Sequence, residues 1–475
     1  MASQATADQL KNIKDESSVK ALKAGVWYTF ATFLKKGISF ATTPIFARLL
    51  TKEDFGSYSN FTVWLSICAV VCTLNLKSSV FRARYDYEDD FDGYLSSITF
   101  LGTLSTAIFY GVVVCFPGFF SELLKIDMIY LHVMFIELLF APSLSILQAK
   151  HRIMQEYKIQ VAISIFESLA CTFCSVLMVY FCKDKLFARI IGGEVPDIII
   201  YVIVFIILMV KGRKLYCAEY WKFAASYSIP IIPHLLSNIL LGSSDKVMIR
   251  NMIGAEANGN YSLAYSCGVI VATLMTSFNQ AMSPWLTQKL HEEQSETIKK
   301  VNRIYVVSFV IIVLVSVLLA PELMWILGGE KYAGVEYIVP PVMLGYGFKF
   351  AYTSYVNVEQ YYKKTGIVSI GTLLAAGFNI ITNLIFLPIF GYAAAAYTTM
   401  AGFIMLLFLH YLISKKYGFT KVYDNRFTFI VMFLMMFIGL ALQLIYPYMI
   451  IRWILAFIMG IIALYSMYRI KKKYF

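Results

Sequence analysis

Arg48-Leu-Leu-Thr-Lys-Glu53-Asp-Phe-Gly56-Ser-Tyr58-Ser59 and Asn251-Met-Ile-Gly-Ala-Glu256-Ala-Asn-Gly259-Asn-Tyr261-Ser262 carry Glu, Gly, Tyr and Ser in one register, at a constant offset of 203 residues. Each copy stands between two long apolar stretches. A bilayer core takes about 20 mostly apolar residues per helix. Windows of that size fall on 26–49, 57–80, 94–116, 127–148, 159–181, 187–210, 223–244, 258–281, 302–320, 336–358, 366–387, 391–413, 427–446 and 449–468. The first copy thus sits at the outer junction of spans one and two, the second at that of spans seven and eight. An even number of intervening helices gives both halves the same orientation, which predicts a parallel repeat about an axis along the membrane normal.

Composition agrees with a polytopic membrane protein. Of 475 residues, 59% are hydrophobic, 16% aromatic and 15% charged, and the mean hydropathy is +0.68. Soluble domains average about 25% charged residues, so this chain lacks the polar surface to cover several water-facing domains. The resulting expectation is an all-α fold of about 14 transmembrane helices: a cytoplasmic segment 1–24, an N-lobe of six helices (25–215), a C-lobe of six (216–415), and two further helices with a basic cytoplasmic tail (416–475). No apolar core for a signal peptide precedes Val26.

Lysine and arginine placement supplies an independent test. With the N-terminus inside, inner connections hold about 27 of the 41 cations, while outer loops keep a few such as Lys52, Lys125, Lys183, Lys185 and Lys331. This obeys the positive-inside rule and places both termini in the cytoplasm. The net charge of +12 is therefore topological, and no nucleic-acid partner is read from it. Cys171-Thr-Phe-Cys174 lies in an apolar run without a second pair, the five histidines are scattered, and no phosphate-cradling Gly-rich loop occurs. Neither metal nor cofactor is expected, nor an enzyme. The acidic run Asp86–Asp92 reads as a solvated cytoplasmic loop.

Charges inside the bilayer cost about 2.5–3.5 kcal/mol each on insertion scales, so they tend to face a wet interior. Lys35 and Lys36 interrupt the first window near mid-depth, Lys77 and Arg82 end the second, and Lys349 lies within the tenth. These five are the candidate ligands of an anionic cargo, because Lys and Arg present charge and donors to phosphate oxygens. Glu137, Glu167, Asp245, Lys246 and Arg250 are the candidates for ion pairs, or for coupling to protons or sodium. The last two helices carry almost no ionisable groups in their interiors and are expected to pack at the edge.

Thr43-Pro-Ile-Phe-Ala-Arg48-Leu-Leu-Thr-Lys-Glu-Asp-Phe-Gly56-Ser-Tyr58 resembles a stretch typical of bacterial polysaccharide-biosynthesis (Wzx-type) flippases. Arg82, Tyr227-Ser-Ile-Pro230-Ile-Ile-Pro233, Asp245-Lys246, Gly259-Asn-Tyr261-Ser-Leu-Ala, Asn279 and Pro284-Trp285 fit the same pattern in order, over roughly residues 20–415. That family is similar to the MATE exporters and the lipid II flippase. The resemblance implies a MATE-like fold in the cytoplasmic membrane. It also implies translocation of undecaprenyl-pyrophosphate-linked oligosaccharides for capsule, O-antigen or exopolysaccharide, beside a polysaccharide polymerase and glycosyltransferases. Lys36 takes the place of a first-helix cavity arginine of the lipid II flippase, keeping the charge but not the bidentate fork. A MATE-type small-molecule exporter, which needs a cavity rich in acids, and a membrane polymerase, which needs catalytic acids on a long outer loop, remain the alternatives.

Overall fold

A computed structural model of the chain describes residue 27 and residues 29–474, with the side chains of 281, 365, 464 and 466–474 left aside. The polar start 1–24 and the side chains of the basic tail lie outside the described residues. All regular structure among the described residues is helical. Packing forms two compact units, one of residues up to 49 with 64–235, the other of 50–63 with 236 onward.

The first unit contains α1 (29–49), the far part of α2 (Lys52–Cys72), α3 (Val80–Asp86), α4 (Phe91–Cys115), α5 (Pro117–Leu124), α6 (Met128–Ile153), α7 (Tyr157–Phe181), α8 (Lys185–Gly212) and α9 (Ala218–Ser228). The second contains the start of α2, then α10 (Ile232–Met252), α11 (Ala255–His291), α12 (Ser295–Leu318), α13 (Ala320–Gly328) and α14 (Val339–Tyr361). It continues with α15 (Thr365–Phe390), α16 (Ala393–Lys416), α17 (Asn425–Ala441) and α18 (Met449–Tyr474). Eleven helical stretches among the described residues are long and apolar enough to cross a membrane. That supports a multi-pass membrane protein, but not the count of fourteen: α14, for one, falls short, its apolar run diluted by tyrosines, prolines and Lys349. Side chains such as Phe173 (65% exposed), Ile389 (65%) and Phe457 (70%) stand outward, as helices solvated by hydrocarbon require.

The two repeat copies pack against each other at the start of α2 and α11. A Cβ on Gly56 would lie 1.9 Å from the Ala255 carbonyl oxygen; a Cβ on Gly259 would lie 2.0 Å from that of Lys52. Ala255 is the counterpart of Lys52 at the 203-residue offset, so the contact is reciprocal. The Ser262 hydroxyl donates to Ser59 Oγ at 2.8 Å, again between counterparts, and Asn258 Nδ2 donates to the Gly56 carbonyl at 2.7 Å. Glycine occupies both positions because only its absent side chain lets the backbones approach this closely, as in small-residue helix contacts within membranes.

The second span ends earlier than its hydropathy window. Leu74 (φ 53°) and Asn75 (φ 48°) adopt the left-handed conformation, which stops a helix of L-residues. A 3₁₀ turn, Leu76–Ser79, follows before α3. Lys77 and Arg82 therefore do not end the second span; they lie on these two short elements beyond it. Behind them, Tyr94 donates to Ser79 Oγ at 2.6 Å, and Leu76, Val80, Tyr94, Leu144, Val204 and Tyr220 form one buried cluster. Tyr220 and Ala224 tie α9 into that cluster, hence into the first unit.

Candidate functional site

In the first unit the polar chemistry gathers where α6, α7 and α8 meet. Gly192 sets the spacing, since a Cβ there would lie 2.6 Å from Ser175 Cα. Pro196, inside α8, has no N–H to give to the preceding turn, and it stands between Glu194 and Asp197. Carboxylate oxygens of Glu137, Glu194 and Asp197 all lie within 4.8 Å of one another. Glu137 and Glu194 are each 6% exposed, and Glu137 Oε2 has no hydrogen-bond partner among the described residues. Cys171 Sγ donates to Asp197 Oδ1 at 3.0 Å, and Lys35 Nζ donates to Glu167 Oε2 at 3.0 Å, with Tyr201 Oη at 3.4 Å from the same carboxylate. Three carboxylates this close cannot all stay ionised in a low dielectric unless a proton or a cation is shared among them. They are the residues best placed among those described to hold a cation.

In the second unit the corresponding feature is built from neutral groups around one acid. Asp245 on α10 is 1% exposed. It accepts hydrogen bonds from the Tyr261 hydroxyl, from Thr399 Oγ1 at 3.3 Å and from the Lys246 backbone N–H at 2.9 Å. Asn379 Nδ2 donates to Thr399 at 3.1 Å, Ser244 donates to Asn379 Oδ1 at 3.3 Å, and Asn383 Nδ2 donates to the same oxygen at 3.2 Å. Asn379 and Asn383, one helical turn apart on α15, are fully buried. Three donors reach Asp245, the arrangement that suits a carboxylate, and Asn379 extends the network behind Thr399.

The other candidates are dispersed. Lys36 is half-buried, with no ion pair among the described residues. Lys349 stands over the rings of Tyr346 and Phe403, at 5.8 and 5.4 Å, and Lys246 over Tyr265 at 5.1 Å. Arg82 is largely exposed and pairs with Asp86 one turn on, at 2.9 Å. Arg250 carries a buried Nε that has no hydrogen-bond partner among the described residues. The acidic run is spent on ion pairs, Arg84–Glu88, Lys214–Asp90 and Lys150–Asp92 among them.

Several residues went unnoticed in the sequence. Glu194 and Asp197 interrupt the window 187–210 at a three-residue spacing and could have been found by scanning each span for acids. The fully buried pair Glu359–His410, 2.8 Å apart, joins α14 to α16 across 51 residues, and no local spacing marks it. Arg452, in the first turn of α18, is 4% exposed and bonds the Leu318 carbonyl at 3.0 Å and Glu322 at 2.6 Å.

Residues 21–290 match the family model described as "Polysaccharide biosynthesis protein". The chain belongs to that family. A relative in Haemophilus influenzae, Lsg locus putative protein 1, is 22% identical over 367 residues, covering 74% of this chain and 87% of its own length. An uncharacterised membrane protein of Methanocaldococcus jannaschii is 21% identical over 433 residues, covering 83% and 84%. Among solved structures, the lipid II flippase MurJ in its inward closed conformation is similar with a TM-score of 0.73 at 13% identity, covering 94% of this chain and 99% of that one. An inward-facing MATE family multidrug transporter gives 0.60 at 10% identity, covering 83% and 97%. This member of the family therefore has the MurJ/MATE fold, and its fold neighbours are flippases and transporters rather than enzymes.

Proposed function

We propose that the protein is a flippase, moving undecaprenyl-pyrophosphate-linked oligosaccharide repeat units across the bacterial cytoplasmic membrane by alternating access of two lobes. The observation that carries this reading is the family itself, polysaccharide biosynthesis, on a fold shared with a lipid II flippase. A sugar head cannot cross hydrocarbon unaided, because its hydroxyls would lose their hydrogen bonds to water. The lobes shelter the head and the diphosphate while the polyprenyl tail stays in lipid. Lys36 is the leading phosphate ligand of the first helix, since Lys35 is engaged with Glu167. Lys349 serves as a second cation with aromatic faces beside it. The potential, negative inside, drives an anion outward by about 2.3 kcal/mol per charge per 100 mV, and the Glu137–Glu194–Asp197 group and Asp245 take up protons or sodium to reset the lobes. Capsule, O-antigen and exopolysaccharide are the candidate polymers.

The test is genetic. Lys36→Ala is expected to abolish surface polymer at normal protein abundance, Lys36→Arg to retain part of it, and Lys36→Glu to be null with lipid-linked units accumulating on the inner leaflet. Normal export by both Lys36→Ala and Lys36→Glu would overturn the role of this cation. A second reading, a cation-coupled small-molecule exporter, is favoured by the acids buried in the first unit. It requires the protein to lower drug accumulation in cells that make no polymer.

A further inference from the structure

We infer that the first unit holds a pocket for a lipid-borne phosphate, separate from the carboxylate group, between the turn after α2 and the last turns of α6. A cavity of about 350 Å³ is lined by Lys77, Ser78, Phe81, Ser145, Gln148 and Arg152, among others. An adjoining cavity of about 110 Å³ shares Lys77 and Ser145. Two cations face this space and no acid lines it. Lys77 makes no ion pair among the described residues, and burial together with the charge of Arg152 pulls its ammonium below the ordinary lysine range. An anion between the two would relieve both effects.

The donors around the cations select a phosphate over a simple halide or carboxylate. Arg152 offers a planar fork and Lys77 a point charge. Asn75 Nδ2 donates to Ser78 Oγ at 2.6 Å, which leaves the Ser78 proton to be given to a ligand. The Gln148 amide has no partner among the described residues. The cradle is fixed from behind: Ser79 donates to the Leu76 carbonyl at 2.7 Å and accepts from Tyr94 at 2.6 Å. The ligand is lipid-borne because Phe81 (62% exposed) and Tyr85 (69%) project one turn apart from α3, with Arg82 between them. Aromatic rings beside basic residues just beyond a span belong to headgroup depth, and basic pockets between spanning helices on the cytoplasmic side hold anionic headgroups.

Two lipids present this chemistry, a resident anionic phospholipid and the diphosphate of a polyprenyl carrier. Only the second source rests on the function proposed above. Native mass spectrometry of the full chain, titrated with phosphatidylglycerol, undecaprenyl diphosphate or phosphatidylcholine, separates them. Wild type is expected to retain at least one of the two anionic lipids about fivefold more than the Lys77→Ala/Arg152→Ala double variant does, with phosphatidylcholine equal in both. Preference for phosphatidylglycerol assigns a resident lipid, preference for the diphosphate assigns a docking place for cargo, and both support the pocket. Should the double variant fail to fold, amine-reactive labelling of Lys77 in wild type replaces it: labelling must fall in the anionic lipid relative to phosphatidylcholine. Equal retention by the folded double variant, or unchanged labelling of Lys77, overturns the inference. Because Lys36 is untouched, a failure here leaves the test of polymer export standing.

Discussion

The two copies of the repeat meet as equals within the second unit, yet the interiors of the two units are polar in opposite ways. At Gly56 and Gly259 the backbones make the same close approach in both directions. Away from that contact, the first unit crowds Glu137, Glu194 and Asp197 together and leaves a buried carboxylate oxygen without a hydrogen-bond partner among the described residues, whereas the second gives Asp245 the hydroxyls of Tyr261 and Thr399 and the Lys246 backbone N–H. A repeat constrains backbone geometry strongly, because helix contacts tolerate few side chains at their closest points. It constrains the chemistry of the interior weakly, since many residue sets satisfy the same backbone. The first unit groups its buried acids with one another, and the second surrounds its buried acid with donors.

The reciprocal contact gives the largest expected effect. Gly259→Leu forces a side chain into the Lys52 carbonyl, and overpacking of this kind typically costs about 1–3 kcal/mol, more where backbone cannot yield. Little or no monodisperse protein is expected on size exclusion, and Gly56→Leu should fail equally. A folded Gly259→Leu protein with an unchanged melting temperature would show that the contact is incidental.

Next comes Asp245→Ala. It strands the Tyr261 hydroxyl and breaks the chain through Thr399, each orphaned group costing about 1–3 kcal/mol. A clear fall in melting temperature is expected in detergent. Asp245→Asn keeps an acceptor in place and should fall less; an equal loss would mean that the charge, not the network, holds this site together.

The smallest effect is expected at Glu137→Gln. Neutralising one member of a buried group of like charges removes a repulsion that disfavours the ionised forms, so stability should hold or rise. A loss as large as that of Asp245→Ala would mean that the carboxylates are ion-paired in a way that makes the two units alike.

Much of the architecture was legible along the chain, because membrane burial writes itself as runs of apolar residues and as a bias of Lys and Arg. The repeat was legible too: Gly56 and Gly259 stand in one register, and the structure gives the pair a reason. The limit of the second span was not, because hydropathy continues past Cys72 while the left-handed backbone at Leu74 and Asn75 ends the helix. The scan found Lys35 and Glu167 separately, each as a charge that is expensive in hydrocarbon. That they are partners across 132 residues is a fact of packing.

The sequence by itself determined the helical class, the family and which residues are costly to bury, since these follow from residue type and order alone. Only the tertiary structure decided which costs are met and by what. Glu137 joined two acids rather than a lysine, Asp245 joined Tyr261 and Thr399, and Lys77 joined Arg152 around a cavity. Those outcomes depend on distances between helices far apart in the chain, and a hydrogen bond is decided within a few tenths of an ångström, a precision that periodicity does not carry.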